Sequence, residues 1–442
     1  MEKEFHKIAQ VLDLCRCNGA EQASAMLSSS VSNTVSIFNS KIDKLEHAGG
    51  SSISLRIFAD GRFGSFSTNQ IDDEKALADF IAKAVQLTKV IEKDPSRKLP
   101  SADLYYKGES GELGLVDNSF FTLDPRKGCE TAIKACTEIE ENAPEGVLQA
   151  AESDWTDAYD LTIYADTNGF TGVEESTELT LNARCSLIDK DGSLPQSWWM
   201  DSSIRLDALK AEGCGKKALE RGLRGLGPRK IESGRYNVVV ENTCSSRLAI
   251  PLVSALYGNS IQQKDSFLID SLGKKMVGSN VTFRDEPHIY GAIGARWFDA
   301  EGIATKTAEI ISGGVVNQYV LNTCTAAKLN MKPTVGTPSI LTMKPAGGAT
   351  DLDSVLKIAG RGVFITSFHG GNYNHVTGDF SYGFQGFYFE NGEIVHPVSE
   401  TNVTGNYLEL WNNLIAAGTD PLLYSPGRIP TRAFEGLHLS GN

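Results

Sequence analysis

No run of this chain is apolar enough to cross a bilayer. The longest nearly apolar stretch, Leu248 to Gly258, falls well short of the roughly 20 residues that a spanning helix needs. An apolar leader core is missing too: the opening MEKEFHKIAQVLDLCRC scatters charges through an amphipathic pattern, so a cytoplasmic location is expected. There is no basic excess. With 42 basic and 55 acidic residues the net charge is -13, which disfavours non-specific binding to DNA or anionic membranes and leaves room only for a local basic patch. Histidine is scarce, at seven residues (His6, His47, His288, His369, His375, His396 and His438), and none belongs to an HExxH or HExxxH pattern. No GxGxxG opens a helix after a strand, and Gly273-Lys274-Lys275 lacks the flanking residues of a phosphate loop. The eight cysteines form no CxxC; Cys15-Arg-Cys17 has the wrong spacing for a redox or zinc site. Cys129, Cys136 and Cys185 fall on apolar faces and read as core thiols in a reducing compartment. Internal repeats and low-complexity tracts are absent.

What is present suits a globular protein. The chain has 442 residues and 41% hydrophobic content, enough for two or three domains. Periodicity predicts a helix over 3–27, strand regions over 31–46 and 51–68, the second carrying an Asp60-Gly61 hairpin turn after Ile53-x-Leu55-x-Ile57, and a strong helix over 72–94 that Asp72 can cap. Another helix is expected over 127–141. Strands follow from 146 to 204, with turns at Asn168-Gly169 and Asp191-Gly192, and then a helix near 207–221. Gly222 to Arg235 is glycine-rich and basic and reads as a linker. Beyond it, short segments broken at Gly313-Gly314, Gly347-Gly348, Gly370-Gly371 and Asn391-Gly392 suggest antiparallel strands, with helices near 243–258, 351–359 and 406–417. The expectation is an α+β protein: a mixed α/β domain over 1–230, followed by a β-rich, barrel-like domain over 231–442.

One residual polar cluster stands out. In FHGGNYNHVTGDFS, His369, His375 and Asp379 lie within a glycine-rich loop that could fold them onto a metal, although the spacing matches no standard zinc template. His375, Asp379 and Ser381 could also be drawn as a triad, but Gly378 sits one residue too far from Ser381 for a nucleophile elbow. The plainer reading is a tight loop whose polar groups bond to backbone. Gly370, Gly371, Gly378 and Gly383 then let backbone approach backbone, or a bound peptide, closely.

The second half carries motifs in a distinctive order. Asp265-Ser266-Phe267-Leu268 precedes Leu272-Gly273. Thr282-Phe283-Arg284-Asp285-Glu286-Pro287 comes next, then Phe298-Asp299-Ala300-Glu301-Gly302 and Gly313-Gly314-Val315. GGNYNHVTGDFSYGFQGFYFENGEIVHPV finally leads into ETNVTGNYLEL. In this order the chain resembles the TldD/PmbA family, once called modulators of DNA gyrase. The resemblance is strong over 236–442.

That resemblance implies two branches, the halves of one heteromeric zinc peptidase. The TldD branch carries HExxxH just before the segment matching Ser266-Phe267, and a cysteine ligand near its C-terminus. Here the matching stretch reads Ser254-Ala255-Leu256-Tyr257-Gly258-Asn259. Ser254 and Asn259 stand for the histidines and Ala255 for the glutamate. No cysteine lies near Tyr424-Ser425-Pro426-Gly427. The chain is therefore similar to the PmbA (TldE) branch. It is expected to hold no cofactor of its own, to pair with a TldD-like subunit that binds zinc, and to help hold unfolded peptides for maturation or antitoxin degradation, with no direct nucleic-acid contact. Ser266, Phe267, His369, Gly370, Gly371, Asn372, Gly378, Asp379 and Ser381 form the signature, in a peptide-binding or structural role. Two other readings remain: an independent hydrolase built on His369, His375 and Asp379, and a homodimeric peptide-binding protein.

Overall fold

Alternation of side chains from Ala23 onward sets the first half of the molecule. The computed structural model describes residues 2–108 and 111–441. Helix α1 (Glu2–Cys17) stops at Asn18-Gly19, where Gly19 turns left-handed with φ 94°. The expected helix to residue 27 is too long: Ala23, Ala25 and Leu27 are buried on alternate positions of strand β1 (Gln22–Phe38). Strand β2 (Lys41–Ala59) folds back on it, and the Asp60-Gly61 turn leads to β3 (Arg62–Thr68). Helix α2 (Glu74–Thr88) is capped by Asp73, whose carboxylate accepts the Lys75 and Ala76 N–H groups, both at 3.0 Å. The expected cap, Asp72, lies one residue too early. Helix α3 (Pro125–Asn142), strands β4 (Leu148–Asp166), β5 (Thr171–Leu187) and β6 (Gln196–Ser203), and helix α4 (Cys214–Arg224) complete this half. The last helix begins later than the expected 207, after a left-handed Gly213.

The six strands form one antiparallel sheet in the order β3-β2-β1-β4-β5-β6. Helices cover one face. Ile8, Val11, Leu77 and Ile81 pack on Ala23, Ile53 and Leu55 at one end. Ala132, Cys136, Ile139 and Leu219 pack on Trp155, Leu181 and Cys185 at the other. Cys129 is partly buried against this second cluster, Cys15 is buried and Cys17 is exposed; none of the eight cysteines is disulfide-bonded.

The second half opens with β7 (Gly234–Val240), α5 (Ser246–Ser254) and α6 (Gly258–Gln263). Short strands β8 (Phe283–Asp285), β9 (Ala308–Ser312) and β10 (Val315–Val316), helix α7 (Thr323–Lys328) and strand β11 (Leu341–Met343) follow. Helix α8 (Leu352–Ala359) leads into β12 (Arg361–Tyr373), β13 (Asp379–Glu390) and β14 (Glu393–Asn406). The chain finishes through α9 (Tyr407–Asn412), β15 (Leu414–Ala417), β16 (Gly427–Arg428) and β17 (Arg432–Ser440). Strands β7, β12, β13, β14 and β17 close into a five-stranded barrel, because β17 pairs with both β7 and β14. One set of barrel side chains, including Val238, Phe380, Tyr382 and Phe434, joins α5 and the small sheet β10-β9-β8-β11-β16 in a single core. The alternate set, with Val239, Phe364 and Phe389, packs on α8.

Two expected elements change here. The helix expected to reach residue 417 stops at Asn412, since Leu414–Ala417 pairs with β17 instead. Gly370-Gly371 does not break a strand. Both residues adopt positive φ inside β12, where the register with β13 shifts between His369 and Asn372. A Cβ on Gly371 would sit 2.0 Å from the Ser381 carbonyl oxygen, so this bulge requires glycine.

The halves meet through an aromatic contact. Phe298 of the second half packs against Phe170 (centroids 5.2 Å), Tyr164 (5.4 Å) and Tyr106 (5.9 Å) of the first. Among the described residues, no helix is long and apolar enough to cross a membrane.

Candidate functional site

The stretch over 254–259, expected from the resemblance to match a metal-binding helix, spans two helices. Helix α5 ends at Ser254, and Asn259 is the second residue of α6. Between them the chain leaves helical geometry at Tyr257 (φ -70°, ψ 140°), which forms a β-bridge with Val320. Gly258 is pressed against α7, where a Cβ would meet Thr325 Oγ1 at 2.4 Å. Ser254 and Asn259 therefore lie on separate helices, on either side of a non-helical Tyr257. Ala255 is buried in the core, Ser254 is half-buried and Asn259 is exposed. A hydroxyl, a methyl and an amide, split across two helices, do not fit zinc, which takes imidazole, thiolate or carboxylate.

Ser266 and Phe267 stand beside this turn. The Ser266 hydroxyl donates to the Ala255 carbonyl at 2.6 Å and accepts the Leu268 N–H at 2.9 Å, which staples the loop to the end of α5. Phe267 stacks on Tyr407 (5.8 Å, 11°), and Gly378 lies against its ring, where a Cβ would approach to 3.1 Å. The end of α5, the Ser266 loop, the β12–β13 turn and the start of α9 thus meet at one place.

The β12–β13 turn is built from backbone-directed polar groups. The Asn374 side chain accepts the N–H groups of Val376 (2.9 Å) and Thr377 (3.2 Å). Asp379 accepts from the Thr377 hydroxyl at 2.7 Å and the Asn406 amide at 2.9 Å, and these donors hold its carboxyl below the usual range. Asn406 in turn caps α9 by accepting the Leu408 N–H at 3.0 Å. Asp379 therefore ties the hairpin to a helix start. His369 lies across from Gly383, and Asn372 across from Ser381, on adjacent strands. The exposed His375 leans on the Tyr373 ring at 4.3 Å. No hydrogen bond links His375, Asp379 and Ser381. Among the described residues, no three His, Cys, Asp or Glu side chains come together to hold a metal, so His369, His375 and Asp379 do not converge.

Several residues that the sequence did not single out organise this corner. Tyr407 bonds Tyr382 hydroxyl to hydroxyl at 2.9 Å and packs on Phe380 (4.9 Å) and Tyr373 (5.5 Å). Burial, with Tyr382 beside it, raises the Tyr407 phenol far above its ordinary range. Arg247 lies 4.7 Å over the Tyr382 ring and donates to the Gly370 carbonyl at 3.4 Å. Alternation along Phe380-x-Tyr382-x-Phe384 signalled the cluster; nothing local pointed to Arg247. On the other side of β12, Ser367, His369 and Gln385 border a groove of about 540 Å³ against Trp198, Arg221 and Arg224 of the first half. Arg221 and Glu241 form a two-bond ion pair there, both contacts at 2.7 Å.

A family model described as the PmbA/TldA metallopeptidase C-terminal domain matches residues 233–441, and one described as domain 1 matches residues 23–88. The chain is similar to the metalloprotease PmbA of Escherichia coli O157:H7, at 26% identity over 406 residues, covering 92% of this chain and 88% of that protein. A crystal structure from Bacteroides thetaiotaomicron VPI-5482 that carries the modulator-of-DNA-gyrase name superposes with a TM-score of 0.96 at 39% identity, over 100% of both chains. TldE from Thermococcus kodakarensis shares the fold, with a TM-score of 0.84 at 15% identity, over 98% of this chain and 100% of that one.

Proposed function

Because the chain belongs to the PmbA/TldD metallopeptidase family, we propose that it is the metal-free subunit of a two-component peptidase in the cytoplasm. A TldD-like partner brings the zinc and the general base. This chain contributes the fold and part of the surface that holds unstructured peptides. The observation that carries the reading is the chemistry at Ser254, Ala255 and Asn259. These positions offer no imidazole, thiolate or carboxylate, and they are divided between α5 and α6. Without a bound metal there is no water of lowered pKa, and Ala255 supplies no base. Eight free cysteines suit a reducing compartment. The groove beside Ser367, His369 and Gln385 offers backbone and polar side chains at the junction of the two halves, a common place for ligands.

The test is metal analysis and peptide cleavage on the purified chain, before and after adding a TldD-like subunit. The expected outcome is no zinc and no cleavage alone, and cleavage in the mixture. Stoichiometric zinc in the isolated chain, with cleavage lost in His369→Ala or His375→Ala, would overturn the proposal and make the chain an enzyme by itself.

A further inference from the structure

The helix-free face of the large sheet is not sealed by apolar packing. Where β1 to β4 pass the 300–302 and 322–324 segments of the second half, they enclose a cavity of about 380 Å³. Its floor is polar by register: Arg56 lies across from Ser24 on one side and Ser65 on the other, and Ser54 lies across from Met26. The Ser24, Ser54 and Ser65 hydroxyls and the Lys98 ammonium make no hydrogen bond within the described residues. Arg56 donates through Nη1 to the Ala300 carbonyl at 3.1 Å, which leaves its Nε–Nη2 edge uncommitted. Arg97 lies 4.7 Å over the Phe63 ring and 3.6 Å from Asp94.

The acids at the cavity are engaged already. Asp166 accepts the Tyr105 hydroxyl at 2.5 Å and the N–H groups of Asn168 and Phe170 at 2.8 and 3.1 Å. Glu301 accepts the N–H and hydroxyl of Thr323 at 2.8 and 2.7 Å. The spare capacity of the cavity is therefore on the donor side. Its walls are apolar, from Phe58, Phe63 and Phe170. A guanidinium edge flanked by hydroxyls matches a planar carboxylate, and aromatic walls match an apolar body.

We propose that this cavity binds a small carboxylate with an apolar body, its carboxylate paired to Arg56. Two sources share that chemistry: a free organic acid and the C-terminal end of a peptide. Binding is read calorimetrically on the isolated chain, so its failure leaves the two-subunit reading untouched. The probes are the dipeptide Ala-Phe, its C-terminal amide, and benzoate. Ala-Phe is expected to bind and the amide to bind at least about tenfold more weakly, the scale of a lost hydrogen bond between charged groups. Binding of benzoate as well as Ala-Phe identifies a general acid site; binding of Ala-Phe alone identifies a chain-terminus site. Arg56→Gln should weaken binding about tenfold or more. Because Arg56 also touches Ala300, Lys98→Gln serves as the second variant. Lys98 holds no partner among the described residues, so its replacement leaves the fold intact, and it should weaken binding by a smaller factor. Equal affinity for acid and amide, unchanged affinity in both variants, or no binding by any probe would overturn the proposal.

Discussion

Asp285 illustrates how a signature residue can be structural. It lies within Thr282-Phe283-Arg284-Asp285-Glu286-Pro287, where sequence resemblance invites a functional role. The carboxylate is 1% exposed, and one oxygen accepts the N–H groups of Ser339 (2.8 Å) and Ile340 (3.1 Å). The other oxygen meets no donor among the described residues. Burial outweighs the two N–H donors and pushes the carboxyl up to about 6. The folded chain therefore holds this proton more tightly than the unfolded chain does. Stability is expected to fall as pH rises from about 4 to about 6, by at most about 3 kcal/mol from this group. Asp285→Asn, which does not titrate, should lose that part of the slope. Urea midpoints for both chains across this pH range check it; parallel pH profiles would refute the assignment.

At the scale of elements, helix α2 offers a direct test of which aspartate matters. Asp73 caps it, so Asp73→Ala should cost roughly 1 kcal/mol, whereas Asp72→Ala should cost only a few tenths. Chemical unfolding of the two variants measures the difference, and equal losses would contradict the cap. The stripe of α2, the Asp60-Gly61 turn and the Asn391-Gly392 turn were legible because period and turn chemistry are local. The start of β1 was less so: Ala23, Ala25 and Leu27 are compatible with either period until Gly19 is recognised as a stop. Two features lay beyond local reading. Gly370-Gly371 has turn composition, and only the neighbouring strand β13 makes it a bulge. Leu414–Ala417 has helical composition, and only pairing with β17 makes it a strand. At the candidate site, the side-chain chemistry at 254, 255 and 259 is plain in the sequence, but the break between α5 and α6 is not. It follows from packing against Val320 and Thr325, far along the chain.

For the whole molecule, the joint between halves rests heavily on Phe298. Its ring is 2% exposed and touches three aromatic rings of the first half. Phe298→Ala should destabilise the protein by about 3–5 kcal/mol. If the division near residue 230 marks two folding units, the variant should also unfold in two steps. A single transition with little loss of stability would mean that the halves hold together elsewhere. Barrel closure adds a consequence in time. Strand β7 begins at Gly234 and its closing neighbour β17 runs to Ser440, so during synthesis an early strand must wait for a late one. The strands of the first sheet are all synthesised once Ser203 has emerged. The barrel has no such schedule: until β17 arrives, β7 and β14 each present an open edge, and this nascent segment is the one most in need of a chaperone.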